Sequence, residues 1–132
     1  MAERYGRRLL LVPADGPVIA DDHAAVDIVG EAFHQQADLI VLPVERLPDT
    51  FFSLRTGVAG LVVGKFTTYH LCLAVVGDIS AHLARSETLR AYVAETNRGR
   101  QVWFVADLAE LDARLARAQA APGRPATPTP AG

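Results

Sequence analysis

The chain has 132 residues, of which 50% are hydrophobic and 21% are charged, and its formal net charge is −2. This length predicts one domain with one core, and the composition excludes intrinsic disorder and argues against nucleic acid as a partner. Because no apolar run reaches the length of a membrane span and the first one stops at Pro13, we expect neither a membrane segment nor a signal peptide, and a cytoplasmic location is the default.

Short apolar runs alternate with longer helical patterns along the chain. The predicted strands are 8–12, 38–44, 71–77 and 101–105, with a possible short second strand at 17–19. The predicted helices are 21–36, 51–69, 78–99 and 107–120. Asp21 or Asp22 is the expected cap of the first helix, Ser80 is a candidate cap of the third, and Gly99 suits a left-handed position at its end.

This alternation predicts an α/β fold, in which a four- to five-stranded, mainly parallel sheet is flanked by helices. Residues 71–77 form an unbroken apolar run and should be the most buried strand. The inward stripe of the first helix is expected at Val26, Val29 and Phe33. Residues 1–120 should form a single domain, and the Pro/Ala-rich residues 121–132 should be a disordered tail.

Polar residues cluster where the predicted strands end. Parallel sheets form their sites outside the carboxyl ends of the strands. The loops there carry Asp15, Glu45 with Arg46, Asp78 with Ser80, and Asp107. These residues could surround a metal or an anionic ligand, or the acids could simply cap helices.

The sequence argues against two phosphate-related functions, a phosphoacceptor receiver domain and a Walker phosphate-binding loop. A receiver domain needs a lysine at the end of its last strand, but Lys65 is the only lysine and that strand ends "VWFVAD". A Walker loop needs four residues between its glycines, whereas "GLVVGKF" has three and carries Phe66 where Ser or Thr should be.

The stretch "FFSLRTGVAGLVVGKF" at 51–66 is better explained by packing. Helical spacing places Gly57, Gly60 and Gly64 in a groove without side chains beside a broad apolar stripe. Each interior glycine costs up to about 1 kcal/mol relative to alanine, so something should approach this groove closely. The sheet, a neighbouring helix or the same helix of a second subunit could do so, and the last possibility predicts a homodimer.

Other reactive arrangements are weaker. His23, Asp27, Glu31 and His34 share one face of the first helix, which suits either a metal or a solvated polar surface. His82 follows Ser80 by two residues without a readable catalytic triad. We therefore assign no catalytic residue, metal site or cofactor.

Three blocks in order, "FFSLRTGVAGLVVGKF", "LAVVGDIS" and "SETLRAYVAETNRGRQVWFV", resemble a bacterial family known only as domain of unknown function number 4180. The resemblance covers most of residues 8–118. One departure is Leu61, where the family pattern has an acid. A site in the family that used this acid would be altered here.

The element order is also similar to that of STAS domains, the anti-sigma-factor antagonists. In that fold a serine that opens the second helix is phosphorylated to control binding to a partner kinase. The corresponding segment here is "LRTGVAG", so the resemblance implies phosphorylation at Thr56, next to Arg55. A helix cap is the alternative role for this threonine.

Two functional hypotheses follow. The first is a non-catalytic regulatory or protein-interaction module of STAS-like type, which binds a protein partner through the second helix and its adjoining loop. The alternative is a small enzyme or anionic-ligand-binding protein that uses the carboxyl edge of the sheet with Arg46 and Arg55. The sequence favours the first and leans against an enzyme.

Overall fold

The computed structural model describes residues 2–4 and 6–120, in which five strands form one sheet. The strands are β1 Ala2–Arg4, β2 Arg7–Leu11, β3 Leu39–Pro43, β4 Cys72–Val76 and β5 Val102–Val105. The α-helices are α1 Asp22–Gln35, α2 Val58–Thr68, α3 Ser80–Arg85, α4 Glu87–Asn97 and α5 Leu108–Ala120. Three short 3₁₀ helices, Val44–Arg46, Asp49–Phe52 and Leu54–Thr56, lie between β3 and α2.

The strands follow one another across the sheet in chain order, β1-β2-β3-β4-β5. β2 to β5 are parallel, and β1 is antiparallel to β2, with Ala2 opposite Leu9. The predicted α/β fold with a four- to five-stranded, mainly parallel sheet is confirmed.

The strand order decides where the helices lie. Right-handed crossovers that always step in the same direction place their helices on one face of the sheet. Buried side chains of α1, α2 and α4 accordingly pack in one cluster with Ile40, Leu73 and Phe104. Side chains of α5 pack in a second cluster with the alternate strand residues, such as Val41 and Trp103.

α1 begins and ends as its sequence predicts, but a different stripe faces inward. The Asp21 carboxylate accepts a hydrogen bond from the Ala24 backbone N–H at 2.9 Å and caps the helix. The buried residues are Ala25, Val29 and Ala32, so the predicted stripe is wrong at Val26 and Phe33, which are exposed. Small alanine side chains face the sheet, and the bulkier side chains turn towards α2 and solvent.

The predicted strand at 17–19 is absent, since these residues have no regular secondary structure. Ile19 is nevertheless buried, and its backbone N–H donates to the Arg46 carbonyl oxygen at 2.6 Å. The additional N-terminal strand is β1 instead.

The second predicted helix starts later than expected. Two 3₁₀ helices occupy 49–56, and α2 begins after Gly57, whose φ of 81° is left-handed and interrupts the helical path. The third predicted helix is divided into α3 and α4 because the Ser86 hydroxyl caps a new helix by accepting from the Leu89 N–H at 3.1 Å. The prediction for Gly99 is wrong, since α4 ends at Asn97, its C-cap Arg98 has a right-handed conformation, and Gly99 has no positive φ.

The apolar run 71–77 contributes β4, which lies inside the sheet between β3 and β5. The predicted ranges 71–77 and 38–44 each contain four buried residues, so 71–77 is buried to the same extent as its neighbour in the sheet. No helix within the described ranges combines the length and apolar character needed to cross a membrane. The predicted tail, residues 121–132, lies outside the described residues.

Candidate functional site

Three of the acids predicted at the carboxyl edge of the sheet lie in two different clefts. Glu45 and Asp107 line a cleft of about 440 Å³ beside Gly77. Asp78 and Ser80 line a neighbouring cleft of about 260 Å³. The acids therefore do not meet at one centre.

Asp78 and Asp107 both bind backbone N–H groups where a helix begins. The Asp78 carboxylate accepts from the Ser80 N–H at 2.9 Å, and this hydrogen bond lowers the pKa of Asp78 below its ordinary value. Asp107 accepts from the Glu110 N–H at 2.9 Å, while the Glu110 carboxylate accepts from the Ala106 N–H at 2.8 Å. Both acids therefore have the capping role that the sequence left as an alternative, whereas Ser80 is the first residue of α3 and provides no side-chain cap.

Arg46, a predicted ligand-binding residue, is engaged within the chain. Its guanidinium donates to the carbonyl oxygens of Pro13 and Pro17 at 2.9 and 2.7 Å. A Cβ at Gly16 would lie 2.9 Å from the guanidinium carbon, so the glycine allows this close approach. Arg46 thus holds the 13–19 segment against the end of β3.

Arg55 lies in a different cleft, which we call the basic cleft. Its volume is about 480 Å³, and its walls come from the 3₁₀ helices after β3 and from the junction of α3 and α4. The lining residues are Asp49, Phe52, Ser53, Leu54, Arg55, His82, Arg85, Ser86 and Thr88. β3 and β4 are neighbours in the sheet, and the connections that leave their carboxyl ends meet here.

The sequence pattern did not predict a site that combines His82, Arg85 or Thr88 with Arg55. These residues are far from Arg55 along the chain, and only the pairing of β3 with β4 brings the two connections together. The available signal was the segment "HLARSET", which carries a histidine and an arginine immediately before a helix cap.

The Thr56 hydroxyl holds the turn that precedes α2. It lies 2.7 Å from the Thr50 carbonyl oxygen and 2.8 Å from that of Ser53, and its oxygen accepts from the Val58 N–H at 3.3 Å. A phosphate would replace this donor with acceptor oxygens. Phosphorylation of Thr56 would therefore require the turn to open.

Gly57, which precedes α2, and Gly60 and Gly64, which lie inside it, have open space beside them in the described part of the chain. A Cβ built at Gly57, Gly60 or Gly64 would have no atom within 4 Å. Helical spacing places these glycines opposite Val62 and Phe66, which are fully buried. Of the three neighbours that the sequence left open, the sheet and a helix within the described chain are both ruled out.

Exposed apolar side chains are present on the outer parts of α1 and α2, and Leu61 is the one that helical spacing places beside Gly60 and Gly64. Phe33 and Tyr69 contact edge to face, with ring centroids 5.7 Å apart, although they are 52% and 42% exposed. Asp22 and Lys65 join the two helices at 2.6 Å. We define the α1–α2 surface by its exposed apolar residues and its open glycines, namely Val26, Gly30, Phe33, Gly60, Leu61, Gly64 and Tyr69.

The polar face of α1 does not bring a ligand set together. His23 and Asp27 lie 4.0 Å apart and are both exposed. Within residues 2–4 and 6–120, no group of three potential metal ligands is present.

The comparisons with known proteins identify a family but no function. No curated protein and no solved structure matches the chain. A family model described as domain of unknown function (DUF4180) matches residues 4–115, which is most of the chain. With the three ordered sequence blocks and this match, the chain belongs to the DUF4180 family.

Proposed function

We propose that this domain is a non-catalytic protein-interaction module that associates with a second copy of itself through the α1–α2 surface. The observation that carries the proposal is the open space at Gly60 and Gly64. Glycine inside a helix is destabilising, and within the described chain no close contact offsets that cost.

The α1–α2 surface contains both parts of a self-complementary contact. Leu61 projects an apolar side chain beside the open space at Gly60 and Gly64, and Phe33 and Tyr69 add exposed apolar area where α1 meets α2. In a two-fold interface each chain contributes the same patch, so the projecting side chains of one copy can fill the groove of the other. Exposed apolar residues that lie together in this way are typical of interaction sites.

A regulatory, STAS-like role has support from the element order. The described chain runs strand, strand, helix and then three strand–helix units, the third helical region being divided into α3 and α4. Thr56 precedes α2 by two residues, at the place where the STAS comparison puts the modified hydroxyl. Opening of the Thr56 turn would change the start of α2 and so couple modification to the proposed interface.

Gly64→Leu tests the proposal. The added side chain enters open space in the single chain, so we expect the variant to fold normally while its bulk separates the two copies. Analytical ultracentrifugation should show a dimer for the wild type at micromolar concentration and a monomer for the variant. The wild-type unfolding midpoint should rise with protein concentration, and that of the variant should not.

Ala113→Leu is the matched control, because Ala113 is exposed on α5, away from α1 and α2. It should remain dimeric. A wild-type protein that is monomeric at all accessible concentrations, or a Gly64→Leu variant that dimerises equally well, would contradict the proposal.

A further inference from the structure

We propose that the basic cleft binds a small phosphorylated ligand that also carries hydroxyl groups, such as a sugar phosphate. This site lies between the 49–55 segment and the α3–α4 junction, and none of its lining residues belongs to the α1–α2 surface. The inference is therefore independent of the proposed self-association.

Two arginines without partners face the same cavity. Neither the Arg55 side chain nor the Arg85 side chain makes a hydrogen bond or ion pair with any residue in the described part of the chain. Most of the other arginines whose side chains the structure describes are engaged: those with polar partners or ring contacts are Arg7, Arg8, Arg46, Arg90, Arg98 and Arg114. Guanidinium groups bind phosphate through paired charge-assisted hydrogen bonds, so Arg55 and Arg85 can hold one phosphate between them.

His82 adds a third nitrogen donor with a fixed position. Its ring stacks on Phe52 with centroids 4.2 Å apart and an interplanar angle of 16°. Phe52 is buried, so the imidazole is supported from one side by the core. Within the described residues no hydrogen-bond partner occupies the imidazole nitrogens.

Hydroxyl and backbone donors complete the wall beside the arginines. Ser53 and Thr88 line the cleft with hydroxyl groups. The Ser86 hydroxyl caps α4 at Leu89, which leaves the N–H groups of Glu87 and Thr88 in the first turn for another acceptor. A carboxylate ligand has two oxygens that accept hydrogen bonds, whereas a phosphate monoester has three terminal oxygens. The larger number of donors in this cleft therefore suits a phosphate better than a carboxylate.

Asp49 and the size of the cleft indicate the rest of the ligand. Asp49 is the one acid among the lining residues, and a carboxylate accepts hydrogen bonds from hydroxyl groups. The volume of about 480 Å³ falls in the range of pockets that enclose small organic molecules. A free phosphate would leave most of this space unused.

Isothermal titration calorimetry on the full chain tests the site with three probes: ribose 5-phosphate, ribose and inorganic phosphate. We expect saturable binding of ribose 5-phosphate, weaker binding of inorganic phosphate and none of ribose. Arg55→Gln combined with Arg85→Gln should weaken ribose 5-phosphate binding by about tenfold or more, because two charge-assisted contacts are lost. Arg98→Gln is the matched control, since this arginine is exposed and lies outside the cleft, and it should bind like the wild type.

The unfolding midpoints of both variants should equal that of the wild type, because the three side chains are exposed. Equal affinity for inorganic phosphate and ribose 5-phosphate would overturn the role given to Asp49. Absence of saturable binding by both phosphate probes, or unchanged binding by the double variant, would overturn the site.

Discussion

The two sides of α2 differ in what a new side chain would meet. Towards the sheet, Val62 and Phe66 are fully buried, and Ala59 is nearly so. Away from the sheet, a methyl group at Gly60 or Gly64 would have no atom of the described chain within 4 Å. The inner side of α2 is thus packed for the fold of one chain. On the outer side the glycines lower the stability of the helix, and no contact within the described chain offsets this loss. This difference shows that the inner side of the helix stabilises the single chain, and it is the basis on which we propose association through the outer side.

Phe66→Ala should produce the largest effect on the inner side. Removal of a fully buried aromatic side chain leaves a cavity and should lower the free energy of unfolding by about 3–5 kcal/mol. Urea unfolding monitored by circular dichroism would measure the loss. A change below about 1 kcal/mol would show that the inner side is not packed as described.

Gly60→Ala should have a smaller effect of opposite sign. Alanine has the higher helix propensity, and its methyl group would meet no atom of residues 2–4 and 6–120 within 4 Å, so the free energy of unfolding of the monomer should rise by about 0.5–1 kcal/mol. Urea unfolding at a concentration below the dimerisation range would measure it.

Gly77→Ala is the contrasting control for that measurement. Gly77 has a φ of 148°, and its Cβ would collide with the Val44 side chain, so this substitution should destabilise the fold. If Gly60→Ala also lowered stability, the outer side of α2 would not be open.

The ion pair between Lys65 on α2 and Asp22 on α1 should make the smallest contribution to the free energy of unfolding among these predictions. The hydrogen bond to Asp22 raises the pKa of Lys65 above its ordinary value of 10.5. A raised pKa in the folded state means that this contribution is fully present below pH 10.5 and is lost as the pH rises through the folded-state value. The stability difference between the wild type and Asp22→Asn should therefore shrink above that pH.

Thermal unfolding at a series of pH values from neutral to strongly alkaline would follow this difference. Asp27→Asn serves as the control on the same helix, since Asp27 faces His23 rather than Lys65. If the stability difference between the wild type and Asp22→Asn stays constant to the highest pH, the ion pair between Lys65 and Asp22 does not contribute to stability.

Much of the fold was predictable because its strands are unbroken apolar runs. The stretches around Ile40, Leu73 and Phe104 are buried by helices on one face and α5 on the other, so they need no polar alternation. The start of α2 was not predictable by periodicity, since Gly57 and the Thr56 turn interrupt an apolar pattern that continues through them.

The α1–α2 surface and the basic cleft could not be predicted from residue spacing, because both depend on how the elements pack in three dimensions. α2 is apolar on most of its circumference, so the sequence identified the glycines as one stripe but not the side they face. The burial of Ala25 in place of Val26 on α1 is a similar case, because small residues can face a sheet at close approach. The basic cleft required the pairing of β3 with β4 before Arg55 and Arg85 could be recognised as neighbours.

The strand order also bears on how the chain folds. Each parallel strand pairs with the next one along the chain, so each pairing closes only the loop of a single crossover. The entropy lost in closing a loop grows with its length, and contacts between sequence neighbours favour rapid folding. Strands can therefore be added one at a time from the N-terminus. α5 follows all five strands in the described chain, where it supplies the helical cover for Leu39, Val41 and Ala74, so a growing polypeptide exposes this apolar sheet face until α5 has been synthesised.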